Sequence, residues 1–361
     1  MIIAASVWMS ALLGNIKEIP NLFIEGGREM KRSTRGKIIN IKYFYFVVPL
    51  FVIFILAPFC LSAEDPAKYP SKPITLIVPV APGGMFDSVC RKLADLAGSM
   101  MGQAIVVVNK PGGGQIIGTA AIAAAAPDGY TIGVATFAPL AVTPHTRAVP
   151  YKTKDDFTYI MSYGKMTMFF CVHSESRWKT FKEFVEEARR SPNKLTYSTV
   201  GTMGAQHIFM EYIFSKEKVK VTHVPYDAAE IVTNLMGGHV DSGFAVLLPW
   251  VQGGKLRALA IQEEKRVEAI PDVPIFSDLG YGDEVKAPLW IGFCGPKGLD
   301  SRILNKLNDV FKKCSEDPTF KELCVKWSIV PSYKDPESFR TIIHKDYDVQ
   351  RNMLKELGFI K

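Results

Sequence analysis

Ile74-Thr75-Leu76-Ile77-Val78-Pro79-Val80-Ala81-Pro82-Gly83-Gly84-Met85-Phe86-Asp87-Ser88-Val89-Cys90-Arg91 reads as a buried strand, a glycine turn and the first turn of a helix. The continuous apolar run with β-branched residues suits a strand covered on both faces. Pro82-Gly83-Gly84 lets the backbone turn tightly without Cβ clashes, and Asp87 or Ser88 is placed to cap the helix that follows. A helix start offers unpaired N–H groups and the positive end of the peptide dipoles, so this loop suits a carboxylate or a phosphate. The plainer reading is a strand-to-helix connection that binds nothing.

A chain of 361 residues, 48% hydrophobic and 22% charged, is of ordinary globular composition and long enough for two domains. Its formal charge of +7 invites a nucleic-acid partner. Seven cations stand before residue 64 (Lys17, Arg28, Lys31, Arg32, Arg35, Lys37, Lys42) against three acids (Glu18, Glu25, Glu29), which leaves only +3 for the remainder. No basic stripe with interleaved aromatics occurs there, so a nucleic-acid partner is not expected.

The front of the chain has the layout of a secretory signal over residues 1–63. A cationic segment, Met30 to Lys37, is followed by the uncharged run Tyr43 to Phe59 and then Leu61-Ser62-Ala63-Glu64. Residues 1–29 fit no part of a signal, which makes Met30 the expected true start. The apolar run of 17 residues is at the short limit for a membrane span and contains Pro49 and Pro58; an uncleaved anchor is the rival reading. The bulky Phe59 before Cys60 argues against lipid attachment. The other cysteines (Cys90, Cys171, Cys294, Cys314, Cys324) are odd in number, widely spaced and without a CxxC pair, so buried free thiols are expected, with Cys314–Cys324 the one conceivable bond. The six histidines show no metal-binding spacing, so neither a metal nor any other cofactor is expected.

After a polar lead, strands and helices alternate: strands at 74–80, 105–108 and 130–136, with helices at 89–100 and 118–126 between them. This βαβαβ rhythm predicts a parallel sheet covered on both faces, with ligands at the carboxyl ends of its strands. A second set follows the Phe157–His173 stretch: helices at 181–190, 205–214 and 228–236, strands at 195–199, 221–224, 243–247 and 256–261. Late helices are expected around 303–313 and 337–357, with Gly358 as the C′ residue. Two α/β domains of similar size with a ligand cleft between them follow: residues 64–166 plus 289–361, and 167–288. The second set repeats the chemistry of the first. Ser198-Thr199-Val200-Gly201-Thr202-Met203-Gly204 precedes a helix and offers hydroxyls and turning backbone. Tyr226-Asp227-Ala228-Ala229-Glu230 has the spacing of a capping box. Asp87 and Asp227 are better caps than catalytic acids, His207 better suits a packing or capping network than a base, and Thr136 closes the third strand at the cleft edge.

Several segments in order carry a family resemblance: Tyr69-Pro70-Ser71-Lys72-Pro73-Ile74, Pro79-Val80-Ala81-Pro82-Gly83-Gly84, Asn109-Lys110-Pro111-Gly112-Gly113-Gly114, Ala126-Pro127-Asp128-Gly129-Tyr130-Thr131, His223-Val224-Pro225-Tyr226, Met236-Gly237-Gly238-His239-Val240-Asp241, Gly254-Lys255-Leu256-Arg257-Ala258-Leu259-Ala260 and Ile270-Pro271-Asp272-Val273-Pro274. From Tyr69 to Lys361 the chain resembles the solute-binding proteins of tripartite tricarboxylate transporters, the Bug receptors. The resemblance implies a type II periplasmic-binding-protein clamshell, each lobe a mostly parallel sheet flanked by helices. It implies an exported monomer that hands a small organic carboxylate to integral-membrane permease subunits. Carried over residue by residue, it points to Gly84, Met85, Phe86 and Asp87 on one lobe and Ser198, Gly201, Thr202, Met203, Gly204 and His207 on the other. Thr136, Tyr226 and Asp227 complete the wall.

Three departures bear on the ligand. Met85-Phe86 replaces small or hydroxyl residues, Asp227-Ala228 stands where relatives often have Lys-Gly, and the segment from Asp241 to Lys255 is about three residues short. The expected ligand therefore has one carboxylate and an apolar or aromatic body, with citrate disfavoured. Closure hinges are expected near Gly164–Met168 and Trp290–Cys294, and a β-branched residue at Gly84 is expected to block the loop's backbone. A nucleotide-dependent enzyme is the rival from another class. The spacing of Gly112-Gly113-Gly114-Gln115-Ile116-Ile117-Gly118 departs from GxGxxG, and no acid ends the next strand. No signature of nucleophilic catalysis appears either. A membrane-tethered sensor on the same clamshell is the third reading.

Overall fold

The computed structural model describes residues 68–286 and 289–361. The signal region, Met30 and Cys60 lie outside the described residues. Strands β1 (Ile74–Val78), β2 (Ile105–Asn109), β3 (Thr131–Thr136), β4 (Phe157–Met166), β10 (Leu289–Pro296) and β11 (Ile329–Lys334) form one sheet, in the order β11-β4-β10-β3-β1-β2. Strands β5 (Met168–His173), β6 (Thr196–Val200), β7 (Thr222–Tyr226), β8 (Ser242–Ala245) and β9 (Leu256–Gln262) form the other, in the order β7-β6-β8-β5-β9. Among the described residues the eight longer helices are α1 (Met85–Met101), α2 (Ile116–Ala123), α3 (Phe181–Arg190), α4 (Ala205–Lys216), α5 (Ala228–Met236), α6 (Ser301–Glu316), α7 (Pro318–Lys326) and α8 (Pro336–Glu356).

The parallel character expected from the βαβ rhythm holds for β2-β1-β3 and for β7-β6-β8. The strands that return from distant sequence enter antiparallel: β10 against β3 and β4, β11 against β4, and β5 against β8 and β9. Each sheet is therefore mixed. Sequence reading misses α7 and β11, and it sees β4, β5 and β10 only as apolar connecting or hinge stretches. Strand β11 contains Pro331, which cannot donate to a ladder; it is tolerated because β11 lies at the sheet's edge.

Local rules explain most helix bounds. α1 buries Val89, Cys90, Leu93, Ala94 and Ala97 along one stripe and stops at Gly102, whose φ of +69° only glycine adopts cheaply. α3, α6, α7 and α8 start on side-chain caps: Thr180, Asp300, Asp317 and Asp335 each accept a first-turn N–H. Gly358, with φ +73°, ends α8 as expected. The five described cysteines are free and buried, Cys314 lying 3.8 Å from the Met100 sulfur, so the conceivable Cys314–Cys324 bond is not made.

The chain passes between the sheets twice. Thr167 alone separates β4 from β5, and the second passage runs from Glu263 to β10. The buried Glu263 carboxylate joins both, accepting from Thr167 Oγ1 at 2.7 Å and from Lys165 Nζ at 2.5 Å. The expected hinge at Trp290–Cys294 instead lies inside β10, laddered on both sides, so the second passage is upstream of it. One apolar cluster runs through both sheets: Phe137, Tyr159 and Trp290 with Phe170, Tyr197 and Phe244, joined by Phe339, Ile343, Met353 and Leu354 of α8.

Within this layer Asp346 of α8 is 5% exposed and accepts the Trp290 indole N–H at 2.8 Å. Burial pushes its carboxyl up to about 7, against partial relief from that bond and from Lys345. The folded-state value is raised above the unfolded one, so the stability tied to this proton is full below about pH 3.8 and is lost as pH rises through about 7. Asp346→Asn is expected to flatten the wild type's decline in thermal stability between pH 5 and 8. The displacement sets an upper bound on the order of 4 kcal/mol. Calorimetric scans of both proteins across that range check it, and parallel curves would count against a buried titrating Asp346.

Candidate functional site

The first loop leaves β1 at Val78 and enters α1 at Met85. Gly83 has φ +90°, a conformation that needs glycine, whereas Gly84 is the N-cap at φ −83° and ψ −176° and would suit any residue. The backbone block expected at Gly84 therefore belongs to Gly83. A Cβ at Gly84 would meet nothing within 4 Å and would stand in open space before the first turn of α1, which has no side-chain cap.

Asp87 is not the cap the sequence suggests; it lies inside the first turn of α1, and its carboxylate is saturated. Oδ2 accepts from the Gly83 N–H at 2.9 Å and Arg91 Nε at 3.0 Å; Oδ1 accepts from Asn109 Nδ2 at 2.9 Å and Arg91 Nη2 at 3.0 Å. Burial raises its pKa, but the Arg91, Gly83 and Asn109 bonds outweigh that and hold it below the ordinary value. No lone pair is left for a ligand, so Asp87 shapes the loop. Asn109 also donates to the Val80 carbonyl at 3.1 Å, tying the loop to the end of β2. Sequence reading missed Arg91 and Asn109 as partners, although the i,i+4 spacing of Asp87 and Arg91 was a signal for the first. Met85 and Phe86 are half-buried and pack against the core beneath β1.

Two further loops of the same sheet gather here. Thr136, 4% exposed at the end of β3, donates to Gln115 Oε1 at 2.6 Å. Gln115 itself has φ +77° and precedes α2, which also starts without a side-chain cap. Gly118 of α2 lies so close to the first loop that a Cβ would meet Pro79 Cα at 2.7 Å. Neither Gln115 nor Gly118 is signalled by its local sequence.

The second loop leaves β6 at Val200. Gly201 has φ +67° and donates to the Tyr226 carbonyl at 3.2 Å; Met203 has φ +59°; Gly204 is the N-cap of α4, again without a side-chain cap. Thr202 is exposed on the turn. His207, 8% exposed, accepts the Met203 N–H on Nδ1 at 3.2 Å, and its ring lies 4.1 Å from that of His223. The Thr199 hydroxyl donates to the Gly201 carbonyl at 3.2 Å and pairs with His223 Nε2 at 2.8 Å. Sequence reading missed Thr199 and His223. Ser198 is fully buried and faces the sheet, 3.4 Å from the Ser242 carbonyl, so it does not serve the turn. Tyr226 is half-buried and lends its carbonyl to the loop, while Asp227 is exposed and starts α5, its N–H given to Glu230 at 3.2 Å.

Two groups of residues result, one on each sheet. Gly84 to Asp87 and Thr136 belong to the first; Gly201, Thr202, Met203, Gly204, His207 and Tyr226 to the second. Ser198 does not join these turns, and Asp227 follows Tyr226 beside the second of them. Among the described residues no hydrogen bond or ring contact joins the two groups.

Residues 89–359 match the family model described as tripartite tricarboxylate transporter family receptor. The chain belongs to this receptor family. A relative in Cupriavidus necator, called "UPF0065 protein in gbd 5'region", is 33% identical over 297 residues, 81% of this chain and 90% of that one. A solved structure described as a periplasmic transporter is 35% identical, with TM-score 0.69 over 81% of this receptor and 99% of that chain. The periplasmic binding protein BugD is 26% identical, with TM-score 0.67 over 81% and 100%. Two more distant structures share the fold. An R. palustris protein with adipate is 22% identical, TM-score 0.68 over 80% and 98%; MatC from Rhodopseudomonas palustris with bound malate is 21% identical, TM-score 0.65 over 79% and 100%. The receptor's two sheets, each mixed and flanked by helices, are thus the architecture of periplasmic binding proteins.

The saturated Asp87 gives a direct test of what shapes the first loop. Asp87→Asn is expected to lower stability by about 2 kcal/mol near pH 7, because a buried charge-assisted network loses its acceptor. The folded-state pKa is depressed, so this stability is present above the ordinary carboxylate range and is lost as pH falls through the folded value. Wild type and variant should therefore converge in acid. Thermal unfolding between pH 7 and pH 3 measures the gap, and a gap that widens in acid would overturn the assignment.

Proposed function

We propose that this receptor captures a small organic carboxylate between two lobes, residues 64–166 with 289–361 and residues 167–288, and delivers it to the permease subunits of a tripartite tricarboxylate-type transporter. The observation that carries the reading is the contrast among helix starts. α3, α6, α7 and α8 have side-chain caps and α5 starts on Asp227 with Glu230 reaching back, whereas α1, α2 and α4 begin bare. All three bare starts follow strands in the parallel parts of the sheets, β1, β2 and β6. Unclaimed amides at the positive ends of helix dipoles suit an anion, and the crevice at the carboxyl ends of such strands is where ligands of these sheets sit.

The adipate and malate bound to fold-sharing proteins support a carboxylate as the anion. The exposed Asp227 beside the second turn disfavours a second carboxylate there, and Arg91, the guanidinium at the first loop, is already engaged by Asp87 and Asn109. One carboxylate on the amides, with an apolar body over Met85 and Phe86, is the ligand this chemistry fits. Domain closure then follows from ligand affinity for the closed form, with the chain bending where it passes between the sheets around Thr167 and Glu263. The signal-like front of the chain fits export, and the chemistry requires no cofactor.

Titration calorimetry with benzoate, adipate, malate and citrate tests the reading. Benzoate-like acids are expected to bind, and tight citrate binding would overturn the ligand class. Gly84→Val is expected to leave the thermal midpoint unchanged, since its backbone suits any residue, and to weaken ligand binding at least 10-fold by filling the space before the amides. Undiminished affinity in that variant would remove the first loop from the site.

A further inference from the structure

The turn between β6 and α4 is held by two imidazoles rather than by its own backbone. His207 Nδ1 accepts the N–H of Met203, a residue kept at φ +59° where side chains are disfavoured. The Thr199 hydroxyl has one proton, given to the Gly201 carbonyl, so it accepts from His223 Nε2–H at 2.8 Å. The two rings lie 4.1 Å apart, tilted by 32°. The Met203 bond needs a neutral ring, because a protonated His207 carries a proton on Nδ1 and opposes the Met203 N–H donor to donor; the His223 Nε2–H bond is kept in either state. We propose that His207 and His223 are positioning residues that hold the Thr199–Gly204 turn in shape, His207 only while neutral, and that protonation of His207 releases it, making ligand capture fall in acid. The ligand part of this rests on the receptor reading given above.

The groups facing the pair come from three elements. Glu211, one turn along α4, places Oε1 3.8 Å from His207 Nε2, and Tyr197 of β6 donates its hydroxyl to the same carboxylate oxygen. The Tyr197 ring lies 4.9 Å from His223 and 6.4 Å from His207; His223 itself comes from β7. Glu211 favours a charge on His207, but burial acts more strongly and lowers its pKa. His223 is pushed down to about 4 by burial and then by its neighbour's ring. Two like charges at this spacing repel, so the pair takes up one proton before the other. The folded-state values lie below the ordinary 6.5, so neutrality is secure at pH 7 and is lost as pH falls below 6.5 towards about 4.

The test follows the Met203 amide and the His207 ring by NMR from pH 7.5 to 4.5 in wild type, His207→Asn and His223→Gln. Asparagine offers an acceptor that does not titrate, and glutamine keeps the donor to Thr199. In the wild type, amide and ring are expected to shift with one midpoint below 6.5. In His207→Asn the amide should stay flat, and in His223→Gln the amide and the His207 ring should still move together. An amide that ignores the ring, or that moves identically in His207→Asn, overturns the proposal.

Calorimetry with benzoate as the probe supplies the functional arm. Affinity should fall at least 10-fold from pH 7.5 to 5.0 in the wild type and less than 3-fold in His207→Asn. Equal losses would overturn the gating, because benzoate's own ionisation is common to both proteins. Absence of benzoate binding to the wild type at pH 7.5 would count against the receptor reading, and the amide titration would still decide the positioning role.

Discussion

The constraint on which the site depends is that a helix cannot satisfy its own first amides. Half of the eight longer helices among the described residues meet the constraint with a threonine or aspartate cap. Where glycine or a strained glutamine stands instead, no side chain caps the first turn and the surrounding side chains are spent on shaping the loop. Asp87, Arg91 and Asn109 do this for the first sheet; Thr199, His207 and His223 do it for the second. The polar residues near the loops thus act mainly as scaffolding, and on the proposed reading the backbone is the surface left for an anion.

The two sheets are joined more firmly than a pair of free lobes would be. A carboxylate buried at the passages accepts from a lysine of one strand and a threonine of the linking residue, and an aromatic layer through Trp290 and Phe339 continues from one sheet to the other. Removing either partner of such an ion pair would leave an uncompensated buried charge. On the proposed reading, bending is confined to the few residues around Thr167 and Glu263.

Much of this was legible along the chain. The run of β-branched residues before Pro82-Gly83-Gly84 marks β1 and its turn, the apolar stripe marks α1, and the repeated turn at Gly201-Thr202-Met203-Gly204 marks the second sheet, because each is a local pattern with a local cause. The side-chain partners were less legible because they are set by pairing between strands. Asn109 reaches Asp87 only because β2 runs beside β1, and His223 meets His207 only because β7 runs beside β6. The same holds for Ser198, whose hydroxyl was expected at the ligand and is turned into the sheet by strand alternation. The mixed character of the sheets depends on strands such as β10, which pairs with β3 across more than a hundred residues of intervening chain. Glycine roles needed coordinates as well: Gly83 and Gly84 are adjacent, yet only the first has a backbone that demands glycine.

The five buried thiols have a practical consequence for handling the molecule. Thiol exchange proceeds through the thiolate, and burial pushes Cys314 and Cys324 up to about 11 and the other buried thiols higher still. The native state is in this way shielded from oxidants and alkylating reagents at neutral pH. The unfolded chain has no such shield and exposes every one of these sulfurs at once, so refolding in air favours scrambled or cross-linked material, and a reductant is needed until the core has closed.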